Sequence, residues 1–219
     1  DAHLKFFNSD GGESGACGNG TRCVADLISK ENDKKTITLT TLSGNLKSEI
    51  LGNNLVTTEI GVAKTKWNEI PLSNELNTLN LNIKINDINN NEYYGGTAIN
   101  VGNPHIIFFM NEIKNFDIAK IGPQIENHKI FPEKCNVTIA KVINKSLIKV
   151  KVWERGAGLT KACGTAACAT AFAGKLNNFT DNDTDIEFET GKLSIFIDEK
   201  NSIHMKGPVS NIKEILIKL

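Results

Sequence analysis

The feature that most constrains the fold is a short pattern that occurs twice, far apart in the chain. It reads GACGNGTRC over 15–23 and KACGTAAC over 161–168. In both places Ala-Cys-Gly precedes small residues and a helix-like run, whereas short β-like runs dominate elsewhere. The duplication predicts two pseudo-equivalent halves, each a sheet wrapped around one helix, with a ligand between them.

Several of the β-like runs alternate apolar and polar residues, and Gly- or Asn-rich turns separate them. The strands are predicted at 3–7, 36–41, 45–50, 54–60, 97–101, 105–110, 136–143, 146–154, 185–189, 192–198, 202–207 and 212–219. Helices are predicted at about 22–31, 116–127 and 164–176, and the Asn-rich run at 86–92 as a hairpin tip. The predicted class is therefore a mixed α/β (α+β) fold.

Charge and hydropathy exclude several classes of function. The formal net charge of the 219 residues is +0, so no basic surface for nucleic acid or anionic membrane is indicated. The longest apolar run, at 105–110, is far shorter than a membrane span, and no secretory signal is visible. Five cysteines, an odd number in a chain of this size, favour reduced thiols and a cytoplasmic location.

Cys17 and Cys163 each stand where a helix is expected to begin. The first N–H groups of a helix lack internal partners, and the helix dipole makes that end partly positive. A carboxylate can bind there, and the same field favours thiolate over thiol. If the halves face each other, one thiolate can remove an α-proton while the other thiol delivers a proton to the opposite side of the same carbon. The two thiols then share one proton and titrate as a pair.

Other roles for the cysteines are also open. We interpret Cys23, Cys135 and Cys168 as small buried apolar residues, which is a common fate of free cysteines. The spacings differ from those of paired zinc knuckles, and no closely spaced histidine pair follows, so no metal site is predicted. A structural disulfide is disfavoured by the cytoplasmic interpretation.

Five segments together resemble the diaminopimelate epimerase family in order and spacing, and they extend over nearly the whole chain. These segments are FFNSDGGESGACGNGTRCVA (6–25), NVGNPHIIF (100–108), GPQIENHKIFPEKCNVTIAKV (122–142), VWERGAGLTKACGTAACA (152–169) and MKGPV (205–209). The resemblance implies a cofactor-independent isomerase that interconverts LL- and meso-2,6-diaminopimelate in lysine and peptidoglycan precursor biosynthesis. It also implies a homodimer, and two halves comprising 1–61 with 209–219 and 62–208.

The resemblance assigns roles position by position. Cys17 and Cys163 become the acid/base thiols. The substrate-binding residues it implies are Asn8, Gly18, Asn19, Asn103, Asn136, Glu154, Arg155, Gly164 and Thr165, with His105 and Glu154 as supporting acid/base groups. Arg155 clamps the distal carboxylate with its planar donor fork. From the residues alone, Asn103 could equally shape a turn, and Glu154 with Arg155 could be a solvated charge pair.

The chain departs from the family pattern at its beginning. Family members normally begin with a segment containing Gly-Asn-Asp-Phe, followed by a Gly-Ala-Asp-Gly stretch, and this sequence starts at Asp1 with neither. We therefore expect a chain that lacks its first strands. Two alternative functions stay open: an amino-acid racemase of the proline racemase type, and an inactive fragment that only binds ligand.

Overall fold

The computed structural model describes residues 1–7, 13–14, 17–42 and 44–210. The chain forms two compact units, one of Asp1–Glu59 with Lys206–Leu219 and the other of Ile60–Met205. It passes from the first unit to the second within one strand and returns within another. Among the described residues, no helix is long and apolar enough to cross a membrane.

The first unit packs one helix on a small sheet. Its elements are β1 (Ala2–His3), β2 (Phe6–Phe7), β3 (Glu13–Ser14), α1 (Gly18–Asn32), β4 (Thr36–Thr41), β5 (Gly44–Gly52) and β6 (Leu55–Val62), the last of which continues into the second unit. The sheet order is β1-β4-β5-β6, and β2 pairs with β3. Strand β4 alternates buried and more exposed residues, and its Ile37 and Leu39 pack with Ala25 of α1. This period of two is the one expected for a strand with a single buried face.

The second unit carries two helices on a larger sheet. Its elements are β7 (Ile83–Asn86), β8 (Glu92–Gly95), β9 (Thr97–Asn100), β10 (Pro104–Phe109), α2 (Ile118–Glu126), β11 (Asn136–Asn144), β12 (Leu147–Glu154), β13 (Gly158–Thr160), α3 (Gly164–Leu176), β14 (Asp183–Phe188), β15 (Gly191–Ile197) and β16 (Ser202–Pro208), in which the chain returns to the first unit. The order β15-β14-β12-β11-β10-β9 forms the main sheet, with β13 paired to β12 and β7 paired to β8.

Helix α3 is buried along nearly its whole length. Its sequence GTAACATAFAGKL offers small residues on every side, and ten of its residues are buried. A helix that is apolar all round must be enclosed, and small side chains allow strands to approach it closely. Isoleucines and valines of β10, β11, β12, β14 and β15 and other apolar residues supply that enclosure, among them Ile107, Val152, Ile186 and Ile195.

Helix α2 packs on the opposite face of the same strands. Ile121 and Ile125 of α2 join Val137 and Ile139 of β11 in a second core, with Trp153 packed against it. Gly122 lies directly against this tryptophan, because a Cβ atom at position 122 would overlap the base of the indole ring. Since side chains alternate along a strand, β10, β11 and β12 each contribute to both cores.

The predicted mixed α/β class and most predicted elements are confirmed. Helix α3 has the predicted bounds, and the Asn-rich run connects the paired strands β7 and β8 as a hairpin tip. Helix α1 begins four residues earlier than predicted, because Cys17 caps a turn of Gly18, Asn19 and Gly20 that has low helix propensity. The strand predicted at 212–219 lies outside the described residues.

The prediction that Cys23 is buried is wrong. Cys135 and Cys168 are buried as predicted, but Cys23 is exposed. The buried residues of α1 are Thr21, Arg22, Ala25 and Asp26, a stripe with helical spacing that leaves position 23 on the outer side.

Because Gly122 contacts the indole of Trp153, we expect Gly122→Ala to destabilise the protein by about 1–3 kcal/mol, as overpacked cores do. Urea denaturation measures this change in the free energy of unfolding. Gly95→Ala is the matched control, since no atom lies within 4 Å of a Cβ at that position. We expect the control to change stability by less than about 0.5 kcal/mol. Equal stability of the two variants would contradict this packing.

Candidate active site

Three of the predicted site residues lie in one row across the main sheet. His105 of β10 is in register with Asn136 of β11, and Glu154 of β12 follows the pair Val137–Trp153. Alternation along the strands places His105, Asn136 and Glu154 on the sheet face that packs against α3. These residues are therefore brought together by strand pairing although they are far apart in sequence.

Cys163 occupies the N-cap position of α3 on the same side of the sheet. Its backbone is extended, with φ −142° and ψ 117°, and the residue is only 6% exposed. Its Sγ lies 3.4 Å from Thr165 Oγ1 in the first turn of the helix. Gly164 is buried as the first residue of α3, and Thr165 is half-buried.

The expectation that the helix terminus lowers the pKa of the thiol is wrong for Cys163. Burial, together with the charge of the neighbouring Glu154 carboxylate, raises the pKa of Cys163 to about 12. Hydrogen bonding to Thr165 acts in the opposite direction but is the weaker effect. Desolvation of the thiolate therefore outweighs the favourable field of the helix, so Cys163 carries its proton at neutral pH.

Asn103 and His105 form a local pair at the start of β10. His105 Nε2 lies 2.8 Å from Asn103 Oδ1, and the histidine is fully buried. Burial, together with the smaller effect of the Arg155 charge, lowers the pKa of His105 to about 3. The imidazole is therefore neutral at physiological pH, with its Nδ1 lacking a hydrogen-bond partner among the described residues.

Asn136 serves as a bridge within the protein. Its Nδ2 donates to the carbonyl of Pro104 at 3.0 Å, and its Oδ1 accepts from the N–H of Arg155 at 3.0 Å. The residue is buried, and its amide thereby fixes both the start of β10 and the turn after β12. The Arg155 side chain is exposed and donates from Nη1 to the Glu133 carbonyl at 2.8 Å.

In the first unit, Cys17 occupies the N-cap of α1 with nearly the same backbone conformation as Cys163. Its φ is −141° and its ψ is 100°, and its Sγ accepts from the Gly20 N–H at 3.4 Å. Unlike Cys163, Cys17 is exposed. Gly18 is half-buried and Asn19 exposed in the first turn of α1. The predicted binding residue Asn8 lies outside the described residues.

Arg22 is a site-adjacent residue for which the sequence predicted no role. Its Nη2 donates to Asn19 Oδ1 at 2.7 Å and its Nη1 to the Gly18 carbonyl at 3.4 Å. A cation near the start of a helix opposes the helix dipole, and this arginine, the fifth residue of α1, is also buried. The position of this arginine, near the start of a helix and shortly after the cysteine turn, is the sequence signal from which its contacts could have been predicted.

Within the described residues, no three His, Cys, Asp or Glu side chains are grouped so that they could hold a metal ion. The second unit thus gathers Asn103, His105, Asn136, Glu154, Arg155, Cys163 and Thr165 around the start of α3 and the turn after β12. The first unit gathers Cys17, Gly18 and Asn19 at the start of α1. The structure does not test the roles of these residues, which stay predictions.

Solved structures of proteins described as epimerases share the fold of this chain. A predicted epimerase from Pseudomonas aeruginosa shares it with a TM-score of 0.67 at 15% identity, covering 99% of this chain and 80% of that chain. A hydroxyproline epimerase from Agrobacterium vitis shares it with a TM-score of 0.66 at 10% identity, covering 94% of this chain and 67% of that one. At these identities the likeness concerns the fold alone.

Sequence similarity defines the family. The chain matches the model of the diaminopimelate epimerase family over residues 1–66 and 97–212. It is 70% identical to a diaminopimelate epimerase of Pelagibacter ubique (strain HTCC1062), over 100% of this chain and 80% of the relative. It is 40% identical to one of Caulobacter sp. (strain K31), over 95% of this chain and 73% of the relative. The chain belongs to the diaminopimelate epimerase family.

Because the Glu154 carboxylate disfavours the thiolate of Cys163, we expect Glu154→Gln to lower the pKa of that thiol. Alkylation of Cys163 by iodoacetamide at pH 8 should then be about three- to tenfold faster, as followed by peptide mass spectrometry. Glu187→Gln is the control, since that carboxylate pairs with Lys149 on another strand. An unchanged rate in Glu154→Gln would refute the electrostatic coupling.

Proposed function

We propose that this protein epimerises LL-2,6-diaminopimelate to meso-2,6-diaminopimelate without a cofactor, using two cysteine thiols. The observation that carries the proposal is that Cys17 and Cys163 cap two different helices with nearly the same backbone geometry. Membership of the diaminopimelate epimerase family supports the substrate. The reaction belongs to lysine and peptidoglycan precursor biosynthesis.

The reaction needs one base and one acid on opposite sides of the substrate α-carbon. In one direction the Cys17 thiolate takes the α-proton, so that the C–H bond breaks and an S–H bond forms. The Cys163 thiol then gives its proton to the other side of the carbon and becomes the thiolate. The raised pKa of Cys163 supports its assignment as the protonated partner in the free protein. After the product leaves, Cys17 loses a proton to water and Cys163 takes one from water, which restores the starting pair; the reverse reaction begins from the pair in which Cys17 holds the proton.

Helix-terminal N–H groups are proposed to bind the carboxylate next to the reacting carbon. Gly18 and Asn19 offer these groups in the first turn of α1, as do Gly164 and Thr165 in the first turn of α3. A carboxylate bound in this way withdraws charge from the carbanion as the α-proton leaves, because the partly positive helix ends stabilise the growing negative charge.

The remaining residues are proposed to bind the rest of the substrate. Arg155 holds the distal carboxylate with a charge-assisted fork, and Glu154 pairs with a substrate ammonium while tuning Cys163. Asn8 and Asn103 hydrogen-bond amino and carboxylate groups, and His105 supports the acid/base pair as a neutral imidazole. Asn136 has one remaining N–H for the substrate beyond the two bonds that hold the protein backbone.

Isotope exchange provides the test. In deuterated water the protein should place deuterium at one α-carbon of LL-diaminopimelate, detected by mass spectrometry or NMR. Cys17→Ser and Cys163→Ser should each reduce turnover by at least about 10²-fold, since each removes one proton-transfer group. Cys23→Ser is the matched control, on the exposed side of α1, and should keep its turnover. An equal loss of turnover in all three variants would overturn the assignment of Cys17 and Cys163 as the acid/base thiols.

Two further outcomes distinguish the alternatives. Deuterium exchange at the α-carbon of proline, but not of diaminopimelate, would favour a racemase of the proline racemase type. The proposed binding of a second substrate carboxylate by Arg155 argues against that alternative. Binding of diaminopimelate without exchange would favour the fragment that only binds ligand.

The mechanism also predicts a redox response. Two thiols that bracket one carbon must come within a few ångströms of each other, close enough to form a disulfide. Mild oxidation should therefore inactivate the protein and dithiothreitol should restore it, with a peptide linking Cys17 to Cys163 found by mass spectrometry. Cys23→Ser should behave like the unmodified protein. Full activity of a protein carrying that disulfide would exclude the two-thiol mechanism.

We further propose that the catalytic halves comprise 1–61 with 209–219 and 62–208, and that the protein acts as a cytoplasmic homodimer. Family membership supports both statements. Light scattering coupled to size exclusion measures the oligomeric state directly.

A further inference from the structure

The turn after β12 presents Arg155, and its conformation depends on contacts from both faces of the sheet. Residues 155–157 connect β12 to β13. Gly156 adopts a φ of +74°, a left-handed conformation that favours glycine. On the α3 face, the Arg155 N–H is held by Asn136 Oδ1 at 3.0 Å. The next N–H, that of Gly156, is held from the other face.

Glu126 at the end of α2 supplies that second contact. Its Oε1 accepts from the Gly156 N–H at 3.1 Å, and its Oε2 accepts from Trp153 Nε1 at 2.7 Å. Both carboxylate oxygens are thus used, and the residue is only 6% exposed. Its charge also contributes, after burial, to raising the pKa of the neighbouring Cys135 thiol.

A buried carboxylate is costly unless its hydrogen bonds compensate, and apolar residues of similar size often stabilise a core as well or better. Glu126 lies beside the second core, the one that Ile121 and Ile125 of α2 form with β11, and packing alone would favour leucine or methionine at this position. Its two donors belong to Trp153 and Gly156, which flank Glu154 and Arg155 in sequence. The carboxylate therefore fixes the segment that bears both proposed substrate-binding charges.

We propose that Glu126 is a positioning residue for Arg155, acting through the Gly156 N–H. Successive N–H groups of the turn are held from opposite sides, by Asn136 and by Glu126, and the guanidinium is held at the Glu133 carbonyl. With its backbone fixed twice and its side chain once, Arg155 has a defined direction before substrate binds. Such preorganisation lowers the cost of ordering the arginine on binding. The inference rests on the proposed function, in which Arg155 binds the distal carboxylate.

The test compares two variants that differ only in the acceptor at position 126. Trp153→Phe removes the indole donor and leaves the Gly156 bond in place, so KM for diaminopimelate should stay within about twofold. In that background Glu126→Gln keeps an oxygen for the Gly156 N–H, whereas Glu126→Leu does not. We expect the Gln double variant to match Trp153→Phe, and the Leu double variant to show a KM roughly tenfold higher with kcat within about threefold.

Stability is measured in parallel by thermal unfolding, because a merely structural role would lower kcat and the unfolding midpoint without a selective rise in KM. If the Leu double variant does not fold, Glu126→Asp with Trp153→Phe replaces it, since its carboxylate is one methylene too short to reach Gly156. Hydrogen exchange of the Gly156 amide should be slow in the Gln double variant and fast in the Leu or Asp one.

Failure of the inference and failure of the proposed function give different results. Calorimetry in a Cys17→Ser background measures binding of diaminopimelate without turnover. Equal KM and equal dissociation constants for the Gln and Leu (or Asp) variants, with the unmodified protein active, would overturn the role of Glu126 alone. Absence of α-proton exchange in the unmodified protein would instead overturn the proposed reaction, and the calorimetric comparison would still decide whether Glu126 positions a binding residue.

Discussion

The enclosure of α3 by the strands of the second unit is the constraint on which the rest of that unit depends. A helix composed of alanine, glycine and threonine with few larger side chains has no polar face, so it is stable only when strands surround it. Its first residue is then necessarily buried too. Cys163 consequently lies at a helix terminus that water scarcely reaches, and its chemistry follows from that burial.

Burial sets the proton affinity of the groups around Cys163. The helix dipole favours a thiolate, but loss of hydration and the nearby Glu154 carboxylate oppose it more strongly. The same loss of hydration keeps His105 neutral. Two groups that could titrate near neutral pH in water are thus held in single protonation states.

Strand pairing and the two cores together define the turn that carries Arg155. The α3 face of the sheet contributes Asn136, and the α2 face contributes Glu126, so neighbouring N–H groups are bound from opposite sides. On the α2 face, Trp153 packs against Gly122 and donates to the carboxylate of Glu126. The geometry of a surface turn therefore depends on residues in both buried layers, which explains how a carboxylate remote in sequence can influence an exposed arginine.

The sequence by itself determined the fold class, the bounds of α3 and most strands, because alternation of apolar residues and small-residue runs are local patterns that packing reinforced. It also predicted that both cysteines precede helices, since Gly18 and Gly164 follow them directly. Only the tertiary structure decided burial: Cys23 lies outside the buried stripe of α1, and Cys163 has a raised pKa where a local argument predicted a lowered one. The contacts of Glu126 were likewise hidden, because its donors Trp153 and Gly156 are brought to it by packing and not by spacing along the chain. The contacts of Arg22, in contrast, lie within its own helix at spacings of three and four residues. Desolvation and hydrogen-bond direction are properties of the folded surroundings, and no local pattern encodes them.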